Sequence, residues 1–125
     1  MNEDIRKEEK KIHRIQYIDL EELEYDYDVL LFLRKKLDPF TIDCFRMVVK
    51  KHTSDGLTKT QIENYNSHRK RFDAAFLILE GQGFIEKRSV GVHKPYFVTV
   101  RGLQLASLLR DEKREQQNNQ NIEGL

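Results

Sequence analysis

Residues 57–109 read LTKTQIENYNSHRKRFDAAFLILEGQGFIEKRSVGVHKPYFVTVRGLQLASLL, and the hydrophobic period changes twice within them. Phe72, Ala75, Phe76 and Leu79 fall at i, i+3, i+4 and i+7, the spacing of a helix with one core-facing stripe. Ser67 offers a cap for that helix, which is expected over about 67–80, with Gly81 and Gly83 ending it. Upstream, Thr58 followed three residues later by Gln61 has the form of a capping box, which predicts a short helix that Asn64, Asn66 and Ser67 break. Downstream the period shortens to two. Phe84 to Val90 and Tyr96 to Val100 read as strands joined through Gly91-Val92-His93-Lys94-Pro95, a hairpin with a basic tip. Leu103, Leu105, Ala106, Leu108 and Leu109 then mark a last helix after Gly102.

Working outward, Asp38-Pro39 is a helix start, because Asp can cap free backbone N–H groups and Pro suits the first helical position. The helix it opens carries Phe40, Cys44, Phe45, Val48 and Val49 on one face and ends near His52, before the turn Ser54-Asp55-Gly56. Residues 29–33 (VLLFL) allow two readings, a short helix capped by Asp28 and running through Leu37, or a buried strand. From Ile12 to Leu23 the apolar spacing is ragged. Residues 1–11 are highly charged and are expected to be a flexible N-terminus. Residues 111–125, rich in Gln and Asn from Gln116 onward, are expected to be a flexible polar tail.

The resulting order is helix, turn, short helix, turn, helix, hairpin, helix. It defines an α+β, mostly α, fold: a winged helix-turn-helix, in which a three-helix core and a two-stranded wing occupy 38–110 and helices flank the unit on both sides. The stretch 57–109 resembles the winged-helix DNA-binding domains of MarR-like and PadR-like bacterial regulators. LTKTQI (57–62) is similar to the start of the positioning helix, FDAAFLILEGQGFIEKR (72–88) to the recognition helix running into the wing, and YFVTVRGLQLASLL (96–109) to the returning strand and next helix. The resemblance implies that the second helix of the pair enters the major groove and the wing touches the backbone or minor groove. It also implies a dimer held by elements flanking the domain. Here those are residues 12–37, with Tyr17, Tyr25, Tyr27 and the 29–33 run, and the last helix, with Leu105, Leu108 and Leu109.

The residues support the same direction. With the Phe72/Ala75/Phe76/Leu79 stripe inward, a rotation of about 100° per residue turns Asn66, Ser67, Lys70, Ala74 and Leu77 outward, flanked by Arg69, Arg71 and Asp73. The run Asn66-Ser67-His68-Arg69-Lys70-Arg71 thus offers amide and guanidinium groups for base edges and cations for phosphates. Ala74 is small enough to allow close approach. Lys59 and Thr60 are further candidates for phosphate contact, and Lys87, Arg88, His93 and Lys94 for contact from the wing.

The charge is distributed to match. Residues 1–33 hold 5 Lys and Arg against 10 Asp and Glu, residues 34–110 hold 15 against 7, and residues 111–125 hold 2 against 4, within a net charge of +1. A basic body between acidic ends suits a polyanionic partner. The mean hydropathy is −0.70. The longest apolar run is 29–33, so no membrane span is expected, and the charged start lacks a signal-peptide apolar stretch. With one cysteine no internal disulfide can form, and a cytoplasmic protein is expected.

No enzyme, metal site or cofactor is expected. His13, His52, His68 and His93 have no ligand spacing with Cys44 or a carboxylate pair, and no phosphate-loop or nucleophile motif is present. Cys44 lies on an apolar helix face, which suits a core residue. The acidic stretch 19–28 lacks the glycine and ligand spacing of a calcium loop. The leading expectation is a sequence-specific double-stranded DNA-binding regulator, a repressor acting as a homodimer. The alternatives are a winged-helix protein-interaction module without DNA affinity, and a DNA-binding accessory protein of plasmid or phage replication or partition.

Overall fold

Asp38 and Pro39 start a helix as their chemistry requires. The Asp38 side chain accepts a hydrogen bond from the Thr41 N–H at 2.7 Å, and Pro39 occupies the first turn, where its missing N–H costs nothing. That bond holds the Asp38 carboxyl below its ordinary pKa. In the structure, a computed structural model describing residues 20–123, this is α2 (Pro39–Lys51). It follows α1 (Tyr27–Lys35) and precedes α3 (Arg69–Gly81), β1 (Ile85–Lys87), β2 (Tyr96–Val98) and α4 (Val100–Glu123). Short 3-10 turns occupy Leu20–Glu22, Lys59–Gln61 and Asn66–His68. The fold is therefore α+β and mostly helical, with one two-stranded antiparallel sheet.

The core sits where α2, α3, the hairpin and α4 meet. Phe45 and Val48 of α2, Phe76 and Leu79 of α3, Phe84 before β1 and Leu105 of α4 are fully buried. Phe45 meets Phe84 edge-on at 6.3 Å, and Phe76 meets Tyr96 at 4.9 Å. Such aromatic pairs add to the area they bury. The α3 stripe read from the sequence is buried as a set: Phe72, Ala75, Phe76 and Leu79.

The end of α3 is a hydrogen-bonded reversal. The Phe84 N–H donates to the Leu79 carbonyl at 3.0 Å and the Gly83 N–H to the Glu80 carbonyl at 3.1 Å, with Gly83 at φ +79°. A residue with a Cβ would resist that left-handed geometry. The strands are shorter than expected, in the register Ile85↔Val98, Glu86↔Phe97 and Lys87↔Tyr96. Beyond them the hairpin closes on Gly91 and Val92, between paired Val90 and His93. Leu57 pairs with Tyr96 on the far side of β2 through two backbone bonds of 2.8 and 3.0 Å. That bridge ties the segment before α3 to the hairpin.

Several local expectations need correction. Residues 29–33 lie in a helix, not a strand, and the residue at its N-cap is Asp26, not Asp28. Only Leu30 of that helix is buried, so the run is amphipathic in practice. The short helix after Thr58 is a single 3-10 turn. Gln61 does reach back to accept from the Thr58 N–H at 3.1 Å, but Ile62 is already extended and Asn64 takes φ +65°. Ser67 lies inside the next 3-10 turn, and His68 occupies the N-cap position of α3 without a side-chain cap.

The last helix starts at Val100, capped by Thr99, whose Oγ1 accepts from the Gly102 N–H at 3.0 Å and donates to the Gly83 carbonyl. Gly102, expected to precede this helix, lies within α4, and the position suits glycine because a Cβ there would collide with the Phe84 carbonyl. The polar stretch expected as a tail is helical as far as Glu123, where Glu, Arg, Lys and Gln are good helix formers. Arg34 of α1 holds Glu112 of α4 in a bidentate pair, with contacts of 2.9–3.1 Å. Tyr25 and Gln104 exchange two bonds of 2.9 Å, and the Tyr25 hydroxyl donates to the Gln82 carbonyl at 2.6 Å. This part of the N-terminal extension thus packs on its own chain. Residues 1–19, which include the charged start, Tyr17 and the first part of the 12–37 extension, along with the last two residues of the expected tail, lie outside the described residues.

Candidate nucleic-acid interface

The segment 59–71 brings most of the sequence-derived candidates to one part of the molecule, but it treats them differently. Asn66, Ser67 and His68 form the 3-10 turn that leads into α3, and Arg69, Lys70 and Arg71 form the first turn of α3. All six are exposed. The positive end of the α3 dipole lies at this end and favours anions. Ala74, one turn further on, is also exposed. Among the described residues, the side chains of Asn66, Ser67, His68 and Lys70 have no hydrogen-bond, ionic or ring partner.

Lys59 is placed otherwise. Its Nζ lies 3.0 Å from Asp73 and 5.8 Å from the ring centroids of both Phe76 and Tyr96. Partial burial works against its charge. The bond to Asp73 and the neighbouring Tyr96, Asp73 and Tyr65 outweigh this and raise its pKa. Asp73 also accepts from the Tyr65 hydroxyl at 2.7 Å and lies 3.9 Å from Arg69. The Tyr65 bond, then the Lys59 bond, hold its carboxyl below the ordinary value. Lys59 is therefore a structural cation that bridges α3 to the sheet. Thr60 remains exposed, with its hydroxyl 3.3 Å from that of Thr58.

Arg71 is exposed yet not free, since its guanidinium stacks 3.9 Å from the centre of the Phe40 ring. It is thus held at a fixed place on the surface between α2 and α3. Arg69 is 70% exposed, and its contact with Asp73 is too long to immobilise it.

The hairpin shows the same division. Arg88 pairs with Glu86 at 2.8 Å and lies 4.8 Å over Phe97, and Lys87 lies 5.4 Å over Tyr96. His93 and Lys94, at the tip, are exposed and carry no side-chain partner among the described residues. Tyr96 connects the two regions, with Lys59 on one approach to its ring and Lys87 on another.

Sequence reasoning turned Leu77 outward but gave it no role. It is 70% exposed, on the same side of α3 as Lys70 and Ala74. The pairing of Lys59 with Asp73, fourteen positions away in the chain, has no local signal that could have revealed it. Cys44 is fully buried, and burial pushes its thiol up to about 11, so it stays protonated and inert. Among the described residues no three His, Cys, Asp or Glu side chains gather closely enough to hold a metal ion. No described helix is long and apolar enough to cross a membrane.

Comparison with protein-family models, curated proteins and solved structures finds no match to the chain.

Proposed function

We propose that this protein is a sequence-specific double-stranded DNA-binding regulator of the winged helix-turn-helix type, acting as a repressor by occupying its site. In this reading the 3-10 turn Asn66–His68 and the first turns of α3 enter the major groove, and the hairpin tip carrying His93 and Lys94 rests on the backbone or minor groove. The observation that carries it is the exposed run Asn66-Ser67-His68-Arg69-Lys70-Arg71 that leads into and opens α3, with Lys70 facing away from the buried stripe and unpaired among the described residues.

The division of labour follows from the chemistry. Asn66 has the donor and acceptor pair that matches adenine, and Arg69 has the fork that matches guanine. Lys70, His93 and Lys94 supply charge to phosphates, which adds affinity and salt dependence but no sequence choice. Arg71, stacked on Phe40, is held ready for a phosphate or a base edge without losing much conformational freedom on binding. Lys59 and Arg88, taken up by carboxylates within the chain, contribute to the shape of the surface and little to contact. Two copies related by a two-fold axis would read an inverted repeat with half-sites about one helical turn apart.

The test is selection of genomic duplex fragments by the full chain, followed by sequencing of the bound pool. Enrichment of one inverted repeat upholds the reading. Recovery of fragments in proportion to their abundance, or no recovery at low salt, contradicts it.

A further inference from the structure

One large apolar side chain stands in the middle of the surface that the proposed function gives to the major groove. Leu77 is 70% exposed. It follows Lys70 by seven positions and Ala74 by three, so all three lie on one side of α3, facing away from the buried stripe. The position between the ends of that line is alanine, and Gly81, the next residue along it, has open space where a Cβ would be. Neither neighbour therefore shields Leu77 or competes with it for a surface lying against α3. The cations Arg69, Lys70 and Arg71 open the helix, and the outward line Lys70-Ala74-Leu77-Gly81 carries no charge or amide beyond Lys70, with the half-buried Glu80 set about 60° around the helix from Leu77.

A leucine in the major groove cannot pair with a phosphate or with the donors and acceptors of base edges. The apolar group that the groove presents is the C5 methyl of thymine. We propose that Leu77, with Ala74 beside it, reads thymine through that methyl group, so that the target half-site carries a thymine at a fixed distance from the base or phosphate met by Lys70. Seven residues of helix rise about 10.5 Å, roughly three base steps, when the helix lies along the groove. The proposal rests on the DNA-binding reading and deepens it. Leu77 is a specificity residue in this account, while Lys70 is an affinity residue.

The experiment uses the full chain and the duplex recovered by selection, with each thymine of the half-site replaced in turn by uracil. That change removes one methyl group and leaves every hydrogen-bonding atom in place. Binding is measured for the wild type and for Leu77→Ala, whose folding is checked by thermal melting. The wild type is expected to lose about fourfold in affinity at one thymine, the worth of one buried methyl group. Leu77→Ala is expected to bind thymine and uracil duplexes alike at that position while keeping the wild-type salt dependence. A wild type that binds every uracil duplex as well as the parent, with salt dependence intact, overturns the thymine reading and leaves DNA binding standing. A uracil penalty that persists in full in Leu77→Ala also overturns it, because the leucine then faces something other than that methyl. If the wild type binds no duplex at all, the reading beneath the proposal falls and the proposal falls with it.

Discussion

Lys59 and Lys70 lie eleven positions apart on either side of one short connecting stretch, and the fold gives them opposite tasks. Lys59 is drawn inward, 3.0 Å from Asp73 and beside the rings of Phe76 and Tyr96. Lys70 projects from the outer side of α3 with no partner among the described residues. The difference shows that a basic cluster is not one property. The same residue type joins α3 to the sheet at one place and leaves a charge available to a ligand at the other. The hairpin repeats the lesson, with Arg88 paired to Glu86 while Lys94 is left open.

Variants can break that contrast or sharpen it. The largest effect on stability belongs to the core on which both lysines are mounted. Phe76→Ala is expected to destabilise the fold by about 3–5 kcal/mol in chemical denaturation, because Phe76 is fully buried against Tyr96. A loss below about 1 kcal/mol would place the stripe outside the core.

Lys59→Ala comes next, with an expected loss of about 1 kcal/mol from its partly exposed ion pair and ring contacts. Its DNA salt dependence should be nearly unchanged, and a drop in salt dependence equal to that of a Lys70 variant would erase the distinction between the two. Acid should act on the same corner. Asp73 has a depressed pKa, so its contribution is present above its ordinary value of 3.8 and is lost as pH falls through the lower, folded value. Asp73→Asn is therefore expected to flatten the acid limb of the stability curve, and an unaltered limb would remove Asp73 from the network.

The smallest stability effect is expected from Lys70→Ala, within about 0.5 kcal/mol, because the side chain is exposed and has no hydrogen-bond, ionic or ring partner among the described residues. Its DNA affinity should fall by a similar factor on every sequence, with the salt slope reduced by about one unit. Full affinity in this variant would remove α3 from the groove.

Much of the scaffold was legible because its signals are local. Asp38-Pro39 predicts the start of α2 through capping, and the 72/75/76/79 spacing predicts the buried face of α3 through helical periodicity. Gly83 predicts the end of α3 through its tolerance of positive φ. What was not legible depends on partners distant in the chain. Capping chemistry at Thr58 suggests a helix, but pairing of Leu57 with Tyr96 and the left-handed Asn64 leave room for only one 3-10 turn. The reach of α4 to Glu123 escaped a reading based on apolar spacing, since its polar half has none and is anchored by Arg34 from α1. At the candidate interface, sequence indicates which side of α3 faces outward. It cannot indicate which cations are already engaged, as Lys59 by Asp73 and Arg71 by the Phe40 ring.

The most direct test of the account is the affinity of the full chain for duplex DNA at about 50 and 200 mM salt. Neutralisation of roughly four to six phosphates by the exposed cations predicts a loss of about a hundredfold to a thousandfold between the two conditions. An affinity that is undetectable at the lower salt, or equal at both, would contradict the claim that the exposed start of α3 is a DNA-binding surface.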